Sequence, residues 1–235
     1  MLRAAVFDFD GVIVDSEPLH YEAFVSVARG FGIDFTYQEY AQKYIGYDDR
    51  DAFRAMLAET DEAPPEAHRV DELGQRKHEH FVQAVARGIR VLPGVLSLIQ
   101  EISSTMPMAI ASGATRRDID LILQTVGLDN RFDCIVSADD VHRSKPDPES
   151  YVLAVRHLMR RHCDLAIAPG NCVAIEDTDA GIRSARSAGL WTVGVAHATS
   201  AELLGNAHRV IRSLEEIGVQ TLQAWHAEAR LGSQA

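Results

Sequence analysis

Val6-Phe7-Asp8-Phe9-Asp10-Gly11-Val12-Ile13-Val14-Asp15 sets two carboxylates at the exit of an apolar run. The run from Ala4 to Phe9, ended by Gly11, has the pattern of a central parallel strand followed by a tight turn. Open α/β sheets bind ligands outside the carboxyl ends of their strands, so Asp8 and Asp10 stand where chemistry is expected. Two anions that close together are costly to bury unless they share a cation. Mg²⁺ suits them, being a hard ion usually held by one or two carboxylates together with substrate phosphate. Asp-x-Asp-Gly is also an ordinary turn sequence. Its position decides, because a solvated turn does not need a strand as apolar as Ala4-Ala5-Val6-Phe7 in front of it.

A chain of 235 residues, 46% apolar and 24% charged, accommodates one large domain, or one domain with an insertion, and a sizeable core. The formal net charge of −11 argues against a nucleic-acid surface, which needs clustered Lys and Arg. No stretch approaches the roughly 20 apolar residues of a membrane span. The expectation is a cytoplasmic protein that binds neither membrane nor nucleic acid. Cys134, Cys163 and Cys172 form no CxxC pair, so buried, inert thiols are expected.

Behind Asp15 the period changes. Leu19, Ala23, Phe24, Val27 and Ala28 recur at helical spacing, with Ser16 or Glu17-Pro18 as the start. Helical patterns continue through Thr36–Tyr44, Asp51–Glu59 and about Pro65 to Arg87, and no strand is expected between Ser16 and Arg90. From Val91 strands and helices alternate. The predicted strands are Met108–Ala111, Cys134–Ser137, Cys172–Ile175, Trp191–Val195 and Arg209–Ile211, which implies a doubly wound parallel sheet. The expected architecture is α/β, a Rossmann-like core of residues 1–15 and 91–235 carrying an inserted all-helical cap domain of residues 16–90.

Three more strand ends carry polar residues. Ser112, with Gly113 and the amides after it, opens a helix near Arg116, where an oxyanion meets free N–H groups and the helix dipole. Capping by Ser112 or Thr115 explains the same residues. In Ser144-Lys145-Pro146-Asp147-Pro148 two prolines stiffen the loop that presents Lys145, although a loop lysine is usually just solvated. Ile175-Glu176-Asp177-Thr178-Asp179 repeats the logic of the first strand. Asp177 suits a direct metal ligand and Glu176 a holder of metal-bound water, while Asp177 or Asp179 also suits an N-cap.

With these four motifs in this order, the chain resembles the haloacid dehalogenase superfamily of phosphotransferases. The likeness is to the helical-cap branch that includes β-phosphoglucomutase and many sugar-phosphate phosphatases. The resemblance implies Asp8 as the nucleophile that forms an aspartyl-phosphate and Asp10 as general acid and base. It implies Ser112, Gly113 and Lys145 at the phosphoryl group, and Mg²⁺ held by Asp8, the Asp10 carbonyl and Asp177, with Glu176 nearby. The dehalogenases of the superfamily lack a counterpart of Asp10, which favours phosphate esters. In the cap, His20 matches a histidine that contacts the general acid and Lys77 a lysine that faces the site. The mutase carries a lysine before the glycine matching Gly46 and an arginine three residues after it. Here those places hold Ile45 and Asp49, with Arg50 one position out of register. The expected activity is therefore Mg²⁺-dependent hydrolysis of a small phosphorylated metabolite, a sugar or polyol phosphate. A phosphohexomutase and a catalytically silent binding protein of the same fold are the alternatives. The sequence does not indicate an oligomeric state.

Overall fold

Strand β1, Ala4–Phe7, is buried at every position, as a strand covered on both faces must be. It ends two residues before Phe9. The Phe9 carbonyl accepts the N–H groups of Ile13 (2.8 Å) and Val14 (3.3 Å), a turn in which Gly11 adopts φ +73°. The computed structural model describes residues 1–44, 47, 49–59, 66–197 and 199–232. The chain divides into two compact units, Met1–Asp15 with Val91–Ala235, and Ser16–Arg90. Two-residue strands, Val14–Asp15 and Arg90–Val91, lie at the division. Runs so short carry no detectable period, so the pattern does not announce them.

The unit Ser16–Arg90 contains α1 (Glu17–Ala28), α2 (Tyr37–Lys43), α3 (Asp49–Ala58) and α4 (Ala67–Arg87). A reciprocal cap starts α2: Thr36 Oγ1 accepts the Glu39 N–H (3.3 Å) and Glu39 Oε2 accepts the Thr36 N–H (2.8 Å). Such a pair answers two of the donors that a helix start leaves open. Phe24, Val27, Phe53, Met56, Leu57, Val70 and Leu73 form this unit's own core. Ile45, Gly46 and Pro65 lie outside the described residues.

In the other unit follow α5 (Val95–Ser103), β2 (Met108–Ala111), α6 (Arg116–Thr125), β3 (Cys134–Val136), α7 (Glu149–Arg161), β4 (Cys172–Glu176), α8 (Asp179–Ser187), β5 (Trp191–Val195), β6 (Arg209–Ile211) and α9 (Val219–Gly232). The strand order is β3-β2-β1-β4-β5-β6, and every neighbouring pair is parallel. This is the Rossmann-like doubly wound sheet expected. Its order reverses between β1 and β4, the crevice where such sheets place their ligands. Tyr151, Ala154, Val155 and Leu158 of α7 pack on Val6, Ala109, Ala111 and Ala174 of the sheet.

No helix among the described residues is long and apolar enough to cross a membrane. Cys172 is buried and Cys134 half-buried, and burial pushes both thiols up to about 12. Cys163 is exposed, which corrects the expectation of three buried thiols: it follows the end of α7, in a turn that leaves its side chain uncovered.

Candidate active site

At the reversal point β1 and β4 run in register, Phe7 beside Ile175. The Asp8 N–H continues the ladder by donating to the Ile175 carbonyl (2.9 Å), which brings Asp8 alongside Glu176. β4 extends one residue beyond the predicted run, so Glu176 is itself a strand residue, with no solvent exposure. Lys145, from the proline-flanked loop before α7, bridges the two. Its Nζ donates to Asp8 Oδ1 at 2.8 Å and to Glu176 Oε1 at 2.6 Å, and it lies 5.0 Å from the centre of the Tyr151 ring.

Glu176 is fully engaged by protein donors. Oε1 also accepts the Tyr151 hydroxyl (3.2 Å), and Oε2 accepts the Asp177 N–H (2.9 Å), the Thr178 N–H (3.0 Å) and the Thr178 hydroxyl (3.0 Å). A carboxylate held this way is a fixed anchor for Lys145. Thr178, not Asp177 or Asp179, caps α8, its Oγ1 accepting the Gly181 N–H at 3.1 Å. The capping reading of the two aspartates is thereby corrected. The threonine hydroxyl reaches the N3 amide and the Glu176 carboxylate together, and Asp177 is released from capping.

Asp177 Oδ1 is buried without a hydrogen-bond partner. Ligand oxygens of Asp8, Glu176 and Asp177 all lie within 4.8 Å of one another. Burial and the neighbouring Glu176 push Asp8 up to about 7, against the opposing pull of Lys145. Burial, Asp8 and Glu176 push Asp177 up to about 9. Burial alone would lower Lys145, but Asp8 and Glu176 together hold it above the ordinary lysine range. Three acids facing one ammonium leave anionic charge uncompensated, and a hard cation among oxygen donors supplies what is missing. The residues present therefore fit a Mg²⁺ site, with the orphaned Asp177 oxygen as the most direct sign.

Asp10 is half-buried in the turn, where it bridges Val14, and stands outside the three-acid group. Ser112 lies at the end of β2, next to β1. It is buried, its N–H donates to the Val136 carbonyl (2.9 Å), and its Oγ accepts the Ala114 N–H (3.0 Å). Thr115 is the cap of α6, accepting the Asp118 N–H at 3.3 Å, so Ser112 is not needed for that task. A Cβ on Gly113 would meet no atom within 4 Å.

Two glycines make the close packing possible. A Cβ on Gly11 would lie 2.0 Å from Asp177 Oδ2, and one on Gly181 would lie 1.6 Å from Glu176 Oε1. Gly181→Ala is accordingly expected to displace the Glu176 anchor, lowering the melting temperature by the equivalent of roughly 1–3 kcal/mol and turnover with it. Gly113→Ala, which meets open space, should leave the melting temperature unmoved. Equal melting of the two variants would contradict the steric reading.

In the unit Ser16–Arg90, Lys77 Nζ donates to His20 Nδ1 (2.8 Å) and to Asp49 Oδ1 (2.8 Å). Arg50 is spent on the surface, its Nε on Asp71 Oδ1 at 2.8 Å with both side chains more than half exposed. Gly46 lies outside the described residues. Sequence reasoning missed Tyr151, Thr178, Gly181 and the partnership of Asp49 with Lys77. Of these only Gly181, a glycine inside a helix pattern, carried a local signal.

A family model described as haloacid dehalogenase-like hydrolase matches residues 5–195. A phosphorylated carbohydrates phosphatase of Thermotoga maritima is 29% identical over 198 residues, 83% of this chain and 86% of that protein. A fructose-1-phosphate phosphatase of Escherichia coli is 29% identical over 192 residues, 81% of this chain and 94% of the other. The crystal structure of a β-phosphoglucomutase from Clostridium difficile superposes with a TM-score of 0.83 at 26% identity, covering 98% of this chain and 100% of that one.

Proposed function

Because the chain belongs to the haloacid dehalogenase-like hydrolases, we propose that it is a Mg²⁺-dependent phosphatase. Its substrate is a small phosphorylated metabolite, a sugar or polyol phosphate, hydrolysed through an aspartyl-phosphate on Asp8. The observation that carries this reading is the group at the sheet's reversal point: Asp8 held by Lys145 at 2.8 Å, Lys145 anchored on buried Glu176, and Asp177 with an unanswered oxygen. The names of the two phosphatase relatives support the reaction class.

In this assignment Asp8 attacks the phosphorus, the ester P–O bond breaks, and Asp10 gives its proton to the leaving alkoxide. Asp10 then takes a proton from water, which attacks the phosphorus and breaks the bond to Asp8. Inorganic phosphate leaves and Asp8 is restored. Lys145 and the Ser112–Gly113 loop hold the phosphoryl oxygens throughout. Asp8, the Asp10 carbonyl and Asp177 would hold Mg²⁺, which when bound would neutralise charge on the transferred group. Glu176 serves as anchor of Lys145. His20 and Lys77 belong to the substrate-selecting unit.

A screen of phosphorylated metabolites, fructose 1-phosphate included, tests the proposal by phosphate release with Mg²⁺ and with a chelator. Release that needs the metal supports it; no release from any ester would refute it. The metal assignment carries its own expectation. Asp8 and Asp177 stand at about 7 and about 9 without a cation, so each ion bound must displace protons. Mg²⁺ affinity by calorimetry should fall as the pH drops through that interval, and an affinity flat with pH would speak against these ligands. Asp177→Ala should weaken Mg²⁺ binding and turnover together, with excess Mg²⁺ partly restoring the latter.

A further inference from the structure

Tyr151 stands in the first turn of α7, directly after the loop that carries Lys145. It has no solvent exposure and packs in the core between α7 and the sheet, so its neighbours fix its ring. The Lys145 ammonium lies over that ring, 5.0 Å from its centre, within the range at which an aromatic face attracts a cation. The Tyr151 hydroxyl donates to Glu176 Oε1 at 3.2 Å, the same oxygen that accepts Lys145 at 2.6 Å. One side chain thus touches both the cation and its anchor.

An ammonium has three hydrogens and accepts none. Asp8 Oδ1 takes one at 2.8 Å and Glu176 Oε1 a second. Among the described residues these are its only hydrogen-bond acceptors. The Tyr151 ring closes the side it faces, so the third N–H is left for an oxygen arriving at the carboxyl edge of the sheet.

A buried carboxylate that met Lys145 alone would draw the ammonium to itself, because attraction grows as the effective dielectric falls. Glu176 instead divides its charge between Lys145, the Tyr151 hydroxyl, the Asp177 N–H, and the N–H and hydroxyl of Thr178. Of these other donors only Tyr151 shares Oε1 with the ammonium, so it weakens the hold of Glu176 on Lys145 most directly. We infer that Tyr151 is a positioning residue for phosphoryl transfer: its ring backs the Lys145 ammonium and its hydroxyl shares Glu176 Oε1, which together keep the remaining N–H for the transferred group. This rests on the phosphatase reading and adds a residue that acts through Lys145.

Kinetics of Tyr151→Phe and Tyr151→Leu on fructose 1-phosphate and p-nitrophenyl phosphate test it, with Mg²⁺ present. Phenylalanine removes the hydroxyl and keeps the ring; leucine removes both. Tyr151→Phe should lose about tenfold in kcat, the worth of one hydrogen bond to a charged group, and Tyr151→Leu about 10²-fold, as misplacement of an aligned group does. The loss should reside in kcat with KM little changed, because Lys145 matters most while charge spreads over the phosphoryl oxygens. It should be equal for the two esters, since Lys145 serves the phosphoryl group and not the leaving group. A folded Tyr151→Phe with native kcat overturns the proposal, as does a loss confined to KM or to the alkyl ester.

Lysine-selective ¹H–¹⁵N spectra of the native chain and Tyr151→Phe give a second reading that does not depend on turnover. The Lys145 ammonium should resonate upfield in both, shielded by the ring, and in the native chain it should move on addition of inorganic phosphate with Mg²⁺. In Tyr151→Phe that movement should be smaller. An unshielded native signal, or one that ignores phosphate, also overturns the proposal. If the native protein releases no phosphate from either ester, the phosphatase reading fails, and the spectra still decide whether Tyr151 positions Lys145.

Discussion

Asp8→Asn is expected to abolish phosphate release while leaving the protein at least as stable as the native chain. The first half follows from chemistry: an amide does not attack phosphorus usefully, and loss of a nucleophile costs at least about 10⁴-fold in kcat. The second half follows from the charge balance at the reversal of the sheet. Asp8, Glu176 and Asp177 crowd around one ammonium, and Asp8 is one of the groups that pushes Asp177 upward. An asparagine keeps an oxygen for Lys145 and removes one of the repelling charges. Steady-state assays and a thermal melt decide both halves. Near-native turnover would remove Asp8 from the chemistry, and a large loss of stability would show that the cluster is held together differently.

Lys145→Met should produce the opposite sign in stability. It removes the cation and leaves the acids. Breaking a buried pair from one side costs roughly 3–5 kcal/mol when the remaining charge cannot be relieved. Here protonation offers relief, so the loss depends on pH. Lys145 opposes the rise of Asp8, which stands at about 7 with the lysine present; without it Asp8 rises further. A carboxyl with a raised folded pKa binds its proton more tightly in the folded state, so its penalty is absent below the unfolded pKa of roughly 4 and grows as pH rises toward the folded value. The variant should thus melt close to the native protein near pH 4 and well below it at alkaline pH. Turnover should fall by about 10²–10³, the usual loss when one charge aimed at a transferring group is deleted. A melting deficit independent of pH would point to lost packing on Tyr151 instead of lost charge.

The sheet was legible because its central strands are nearly unbroken apolar runs, each ended by a polar residue at the carboxyl edge. Asp8, Ser112 and Asp177 were visible for that reason, and Lys145 because two prolines follow it, Pro146 and Pro148. What stayed hidden depends on partners far along the chain. Glu176 meets Tyr151 across 25 residues and Lys145 across 31, so no local spacing reveals it as an anchor. Asp177-Thr178-Asp179 contains three residues able to cap a helix, and only the position of the Glu176 carboxylate makes Thr178 the one that does. In the sequence Asp49 is only the residue standing where the mutase has its arginine, with Arg50 one position out of register. The structure gives Asp49 to Lys77, 28 residues away, and Arg50 to Asp71, 21 away.

Those last two pairings bear on the rival reaction. A mutase must grip the second phosphate of a bisphosphate intermediate and keep water from the aspartyl-phosphate in the meantime. Arg50 is committed to Asp71 and Lys77 to Asp49, so neither is offered to a second phosphate. The aspartyl-phosphate on Asp8 is then expected to pass to water with Asp10 as base. Product analysis on β-glucose 1-phosphate with Mg²⁺ and a trace of glucose 1,6-bisphosphate measures this partition directly. Accumulation of inorganic phosphate matching the ester consumed is the predicted result. Rapid formation of glucose 6-phosphate with little free phosphate would contradict it and make the protein a mutase.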